Sequence, residues 1–250
     1  MNTVNQPTAD FALEGEQPSA GVTSIGVGSS ALLGSVSATC EDCMALMARY
    51  TDKHFDLAIV DPPYGIGFDG DSTLGNNSSA KWKKPAKSER YVKKHWDKSP
   101  PPMEYFVELR RVSRKQIIWG GNYFPLPPAG GWIVWAKGTA EGMSLSDAEL
   151  AWTNAANNVK ICELLWSGFR KCEQVERFHP TQKPVKLYKW LLENYAKPGM
   201  KILDTHLGSG SHAIACHYAG MYLTACEIDA DYFAAAQERI ARETRQTTLF

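Results

Sequence analysis

Two short constellations hold the residues most able to do chemistry. The first is Asp61-Pro62-Pro63-Tyr64. An exocyclic amine on an aromatic base is a poor nucleophile, because its lone pair is delocalised into the ring. A carboxylate and a backbone carbonyl accepting its two N–H hydrogens draw it toward tetrahedral geometry. Two prolines stiffen such a loop and fix where its carbonyl points. Tyr64 adds a flat face for a base taken out of its duplex. The second is Asp204-x-x-x-Gly208-Ser209-Gly210, with Glu227 following downstream. A glycine-rich turn before a helix lets a ligand approach free backbone N–H groups. An acid ending the next strand can accept from two ribose hydroxyls. The pattern suits NAD or S-adenosylmethionine. It lacks the G-x-G-x-x-G that wraps a pyrophosphate, which favours a cofactor without one.

Both constellations need strands to present them. Phe55–Val60 is a short apolar run closed by Asp61-Pro-Pro and reads as a buried parallel strand. Lys201–Leu203 runs into the Asp204 loop, helix Ser211–Ala219 follows, and strand Tyr222–Cys226 ends at Glu227. Ser35–Cys40 is a further strand and Glu41–Tyr50 a helix. Met103–Val112 is a helix leading to strand Gln116–Trp119. Strands are expected at Trp132–Ala136, Glu149–Thr153 and near Glu163–Trp166. Amphipathic helices fall at Pro184–Ala196 and Tyr232–Arg242. Helices alternating with short apolar strands predict an α/β fold, a mostly parallel sheet with helices on both faces.

The chain has 250 residues with 27 basic and 27 acidic side chains, so global charge does not draw it onto a polyanion. A nucleic-acid site must be a local patch. Lys81, Lys83, Lys84, Lys87, Arg90, Lys93, Lys94 and Lys98 supply one, with Trp82, Tyr91 and Trp96 interleaved. No run reaches the ~18 apolar residues of a membrane span. The first basic residue is Arg49, which argues against a signal or transit peptide. Cys40-x-x-Cys43 has no second pair to complete a zinc site and reads as two small residues at a strand-to-helix turn. No metal is expected.

These motifs, in this order, resemble the β class of amino DNA methyltransferases, which methylate N6 of adenine or N4 of cytosine. The resemblance spans about 33–243 and implies a permuted Rossmann-like fold with a seven-stranded sheet. Asp61-Pro62-Pro63-Tyr64 matches the family's catalytic tetrad. His179-Pro-Thr181-Gln-Lys183-Pro matches the block before the cofactor strand, and Asp204 to Gly210 the cofactor loop. Glu41-Asp42-Cys43 resembles a segment whose Asp contacts the cofactor adenine. Trp119–Phe124, Trp135-x-Lys137 and Asp147-x-Glu149 resemble further family segments. The implied cofactor is S-adenosyl-L-methionine, held by Asp42, Asp61, His179, Thr181, Lys183, Asp204, His206, Gly208, Ser209, Gly210 and Glu227. The implied partner is double-stranded DNA, contacted by insertions at about 69–102 and 154–178. A cytosine-N4 enzyme usually begins the tetrad with Ser, so Asp61 favours adenine. A cytosine-N4 enzyme and an idle DNA-binding relative are the alternatives. Members are often homodimers, and a cytoplasmic protein of bacterial or phage origin is expected.

The loop departs from the family's Asp-Pro-Phe-x-Gly-Ser-Gly-Thr. Thr205, His206 and Ser211 replace Pro, Phe and Thr. The expectation is a looser loop, with His206 filling an aromatic slot without titrating. Residues 1–32 read as a flexible arm and 244–250 as a tail. In that tail Gln246, Leu249 and Phe250 resemble the peptide that holds a bacterial sliding clamp.

Overall fold

The computed structural model describes residues 35–67, 94, 96–138, 146–167, 170–173 and 178–245. The elements in chain order are β1 (Val36–Cys40), α1 (Cys43–Ala48), β2 (Phe55–Val60), α2 (Met103–Val112), β3 (Ser113–Trp119), β4 (Gly131–Ala136), β5 (Ala148–Thr153) and β6 (Val159–Glu163). There follow β7 (Trp166–Ser167), β8 (Arg170–Lys171), α3 (Val185–Tyr195), β9 (Lys201–Asp204), α4 (Ser211–Tyr218), β10 (Tyr222–Glu227) and α5 (Ala230–Thr244).

Eight strands form one sheet in the order β1-β10-β9-β2-β3-β5-β4-β6, and β7 and β8 form a separate two-stranded ladder. The pairs β1/β10, β10/β9, β9/β2 and β2/β3 are all parallel. Strand β5 runs antiparallel between β3 and β4. The sheet thus holds eight strands where seven were expected. The extra one is β6, parallel to β4 at the sheet edge. The strand expected near Glu163–Trp166 falls between two observed ones: β6 ends at Glu163 and β7 begins at Trp166, and only Cys162 of the five β6 residues is buried.

Burial divides between the two faces. One core joins Leu57, Ile59, Ile117 and Ile202 to Leu187 and Leu191 of α3, Ile214 of α4 and Ile240 of α5. The other joins Ala58, Val60, Ile118 and Leu203 to Leu46 and Met47 of α1 and Phe106 and Leu109 of α2. Alternate residues of β2 enter opposite cores, as the two-residue repeat of a strand covered on both faces requires.

This topology sets the site. From β9 the chain crosses through α4 to β10 on one side. From β2 it crosses through α2 to β3 on the other. The crevice between β9 and β2 is the point where the winding reverses, which is where ligands bind in open α/β sheets. Asp61, Asp204 and Glu227 sit at the carboxyl ends of three adjacent parallel strands.

Cys40 ends β1 and Cys43 opens α1, as the strand-to-helix reading expected. Helix α5 runs to Thr244, past the expected end at Arg242. Among the described residues no helix is long and apolar enough to cross a membrane. The arm at 1–32, most of the 69–102 insertion and the tail residues Gln246, Leu249 and Phe250 lie outside the described residues. So do Lys81, Lys83, Lys84, Lys87, Arg90 and Lys93.

Candidate active site

A cleft of roughly 660 Å³, including the open space at its mouth, lies at the carboxyl ends of β2, β9 and β10. Its lining includes Asp61, Pro63, Trp96, His206, Gly208 and Glu227. The Asp61 loop and the glycine-rich loop, separated by over a hundred residues in sequence, therefore share one cavity.

Asp61 sits at the end of a partly buried chain of charges whose centre, Lys183, is buried. The Tyr64 hydroxyl donates to Asp61 Oδ1 at 2.8 Å, and Lys183 Nζ donates to Oδ2 at 2.5 Å. Lys183 also lies 3.1 Å from Glu149 Oε2, and Glu149 pairs in turn with Lys137. This network links the segments Trp135-x-Lys137 and Asp147-x-Glu149 to the site. Burial raises the Asp61 carboxyl above its ordinary range, against the pull of Lys183. Burial also opposes the charge on Lys183, but the Asp61 and Glu149 carboxylates outweigh it and hold the ammonium above its ordinary value. Burial likewise opposes ionisation of Glu149, and Lys183 and Lys137 still hold that carboxyl at about 2. Burial, with the Asp61 charge, keeps the Tyr64 phenol well above its usual range, so it stays a donor. Lys183 is thus placed on Asp61 as well as against the cleft, a partnership the cofactor-block reading did not anticipate.

Tyr64 stacks on Tyr123, with ring centroids 5.1 Å apart and planes 16° from parallel. Tyr123 is 47% exposed, so the two rings form an aromatic stack reaching solvent. Tyr123 belongs to the Trp119–Phe124 segment, but no role for its ring was legible there.

The glycine-rich loop is braced from behind. Asp204 is buried; its Oδ1 accepts from the His206 N–H at 3.0 Å and its Oδ2 bonds His212 Nδ1 at 2.9 Å. Asp204 shapes the loop and does not line the cleft. Burial opposes protonation of His212, but Cys216 and Asp204 raise it to about 10. Gly210 begins α4 at φ +75°, and a Cβ there would stand 3.0 Å from Ile240. Arg239, also buried, donates to the Ser209 carbonyl at 3.0 Å and to Ser211 Oγ at 2.9 Å.

The three departures from the family loop bond into this bracing. Thr205 Oγ1 lies 2.6 Å from the Tyr105 hydroxyl and 2.9 Å from His206 Nδ1. Tyr105 meets the His206 ring edge-on. Ser211 takes the Arg239 bond. Hydrogen bonds from Thr205 and Ser211 thus occupy the positions where the family pattern has Pro and Thr. Burial pushes His206 down to about 4, which keeps it neutral at pH 7, as expected for a residue filling an aromatic slot.

Glu227 Oε2 accepts from Gly208 N–H at 2.9 Å, and Oε1 from Asp229 N–H at 3.0 Å. Each oxygen retains a lone pair for a further donor. His179 lines the cleft and lies 3.2 Å from Thr181 Oγ1; burial, then Lys183, push its imidazole down to about 4. Asp42 caps α1, accepting from Met44 and Ala45 N–H, and is absent from the cleft lining. Lys94 differs from its reading as a free phosphate contact. Its ammonium is 2.6 Å from both Asp229 Oδ1 and Asp231 Oδ2.

Depressed histidines carry a pH signature. The unfolded chain protonates them near pH 6.5, while His206 resists until about 4. The unfolded state therefore binds more protons between those values, and stability falls as pH drops through that window. His206→Phe should reduce the stability lost between pH 7 and pH 5 by about 1–2 kcal/mol. Urea midpoints at the two pH values measure this, and an unchanged difference contradicts the assignment.

Residues 142–238 match the family of DNA methylases. That stretch contains Lys183, the glycine-rich loop and Glu227, while Asp61 lies outside it. The Escherichia coli (strain K12) protein named "Putative methylase YubD" is 28% identical over 82% of this chain and 89% of its own length. The type II methyltransferase M.HpaI of Haemophilus parainfluenzae is 23% identical over 82% of this chain and 74% of its own. In fold, the chain resembles the cytosine-N4-specific PvuII DNA methyltransferase, with a TM-score of 0.51, 13% identity and coverage of 84% and 92%. It also resembles M1.HpyAVI in its SAM complex, with a TM-score of 0.50, 16% identity and coverage of 82% and 99%.

Proposed function

We infer that this chain, an amino DNA methyltransferase of the N6/N4 kind, transfers a methyl group to N6 of adenine in double-stranded DNA. The methyl donor in this reading is S-adenosylmethionine. The observation carrying it is that Asp61, Gly208 and Glu227 line one cleft at the switch point of the sheet.

The residues fit such a cofactor. Gly208, at φ +53°, leaves the loop open toward the cleft, where a Cβ would only just meet the His179 ring. Glu227 offers acceptors to a pair of ribose hydroxyls. Neutral His206 provides a flat wall. When bound, the cofactor supplies an electrophilic sulfonium methyl group.

Asp61 then accepts an N–H hydrogen of the target amine, and the Pro62 carbonyl the other. Lys183 pulls the Asp61 carboxyl down against its burial and so favours the carboxylate, the form that accepts. Holding amine and methyl group in one cleft removes much of the entropic cost of their meeting. Tyr64 supplies the stacking face for a base turned out of the helix, on a ring whose present neighbour is Tyr123. Asp at the first tetrad position supports adenine over cytosine. Lys81 to Lys93 are the proposed phosphate contacts. A homodimer, and a clamp-binding tail through Gln246, Leu249 and Phe250, complete the reading.

The test is tritium transfer from labelled S-adenosylmethionine to duplex DNA, followed by chromatography of the digested nucleosides. Label in N6-methyladenine supports the reading. Label in N4-methylcytosine makes the chain a cytosine enzyme, and absence of label makes it a non-catalytic relative. Separately, Glu227→Ala should weaken S-adenosylmethionine by about 1–3 kcal/mol, the range for hydrogen bonds to a charged group. Calorimetry showing unchanged affinity removes Glu227 from the cofactor site.

A further inference from the structure

Lys94 and Trp96 both lie at the cleft's edge toward α5. Lys94 reaches the start of α5, where its ammonium is 2.6 Å from Asp229 Oδ1 and 2.6 Å from Asp231 Oδ2 and lies 4.6 Å above the Tyr232 ring. Two residues on, the Trp96 ring stacks on His179 at 5.7 Å and 27°. His179 in turn packs on Tyr232 at 4.4 Å. Trp96, His179, Asp229 and Tyr232 line the same cleft as Gly208 and Glu227.

The next residue ties this strip to the catalytic loop. The buried Asp97 carboxylate accepts from the Gly65 N–H at 2.7 Å, and its carbonyl accepts from the Gly67 N–H at 2.9 Å. The approach is close: a Cβ on Gly65 would stand 2.4 Å from Pro100 Cδ, and Gly65 holds φ +73°. Asp97 is therefore fastened to the Asp61 loop and Lys94 to α5, and the Trp96 indole lines the cleft.

We propose that Lys94 and Trp96 form a clamp on the cofactor, with Trp96 as a wall of its site and Lys94 as the positioning residue that fastens this wall to Asp229 and Asp231. The proposal rests on the methyltransferase reading above. Its consequence is kinetic. A wall held by ion pairs must let go before a bound molecule leaves, so loosening it shortens the residence time of the cofactor. Asp231 is the informative partner. Its side chain is 87% exposed and its carboxylate meets Lys94, so replacing it disturbs little else.

The experiment is stopped-flow dissociation of S-adenosylmethionine from the full chain, comparing wild type, Lys94→Gln, Asp231→Asn, the double variant, Trp96→Phe and Trp96→Ala. Thermal melts identify any variant that fails to fold, and Asp231→Asn carries the test if Lys94→Gln does. Lys94→Gln should speed release by about two- to fivefold, the scale of partly exposed ion pairs. Asp231→Asn should speed it in the wild-type background and add nothing to Lys94→Gln, because the two act through one contact. Trp96→Ala should speed release at least about tenfold, with Trp96→Phe restoring most of the loss. Equal release rates in folded variants, or additive effects of the two charge substitutions, overturn the clamp and leave the methyltransferase reading standing. A wild-type chain that binds no S-adenosylmethionine at ~1 mM, an affinity weaker than about −4 kcal/mol, overturns both.

Discussion

Asp61→Ala will reduce methyl transfer at least about a thousandfold, a loss of ~4 kcal/mol in transition-state stabilisation. Cofactor affinity will stay within about threefold of wild type. The division follows from position. Asp61 meets the cleft from the end of β2, while Gly208 and Glu227 meet it from β9 and β10. Asp61→Asn should fail almost as completely, since an amide is a weaker acceptor and cannot keep the charged contact with Lys183. Both variants should remain folded, because Lys183 keeps Glu149 as a partner. Single-turnover rates together with calorimetry for the cofactor check the two halves. A variant retaining more than about a tenth of wild-type kcat, a loss under ~1.4 kcal/mol, removes Asp61 from the reacting centre.

The second large effect belongs to Lys183. Lys183→Met leaves Asp61 and Glu149 buried without the cation between them. Removing one member of a buried charge group costs about 3–5 kcal/mol of stability. The more diagnostic change is in pH dependence. Burial raises the Asp61 carboxyl and Lys183 lowers it, so loss of Lys183 moves its titration upward. Catalysis needs the ionised carboxylate, and the rate falls as pH drops through that value. The acid limb of the kcat profile should therefore shift to higher pH in Lys183→Met, with part of the lost activity returning as pH is raised. Glu149→Gln should move the same limb the other way, because the Glu149 charge raises the Asp61 value. A profile unmoved by both substitutions would separate the network from catalysis.

Much of this arrangement was legible in the sequence because it is local. Phe55–Val60 is a short run that is apolar except for Asp56, and the strand occupies those residues. The turn from β9 into α4 is written in Gly208 and Gly210, whose positive φ values no other residue adopts easily. What stayed hidden depends on residues distant in sequence. Lys183 was legible as part of a block, but not its bonds to Asp61 and Glu149, 122 and 34 positions away. Thr205 looked like a loss of rigidity because its partner, Tyr105, lies a hundred residues upstream. Lys94 looked like part of a basic run, since nothing near it in sequence announces Asp229 and Asp231. Strand β6 was placed a few residues late, near Glu163–Trp166, because its apolar residues Val159 and Ile161 face solvent and burial does not mark its start.

The central claim is that the Asp61 cleft methylates adenine in DNA. Its most direct test is sequencing with modified-base detection on DNA from cells expressing the wild-type chain or Asp61→Ala. The account predicts N6-methyladenine at one defined sequence context in the wild-type sample and none in the variant. N4-methylcytosine at such a context, or N6-methyladenine persisting with Asp61→Ala, would contradict it.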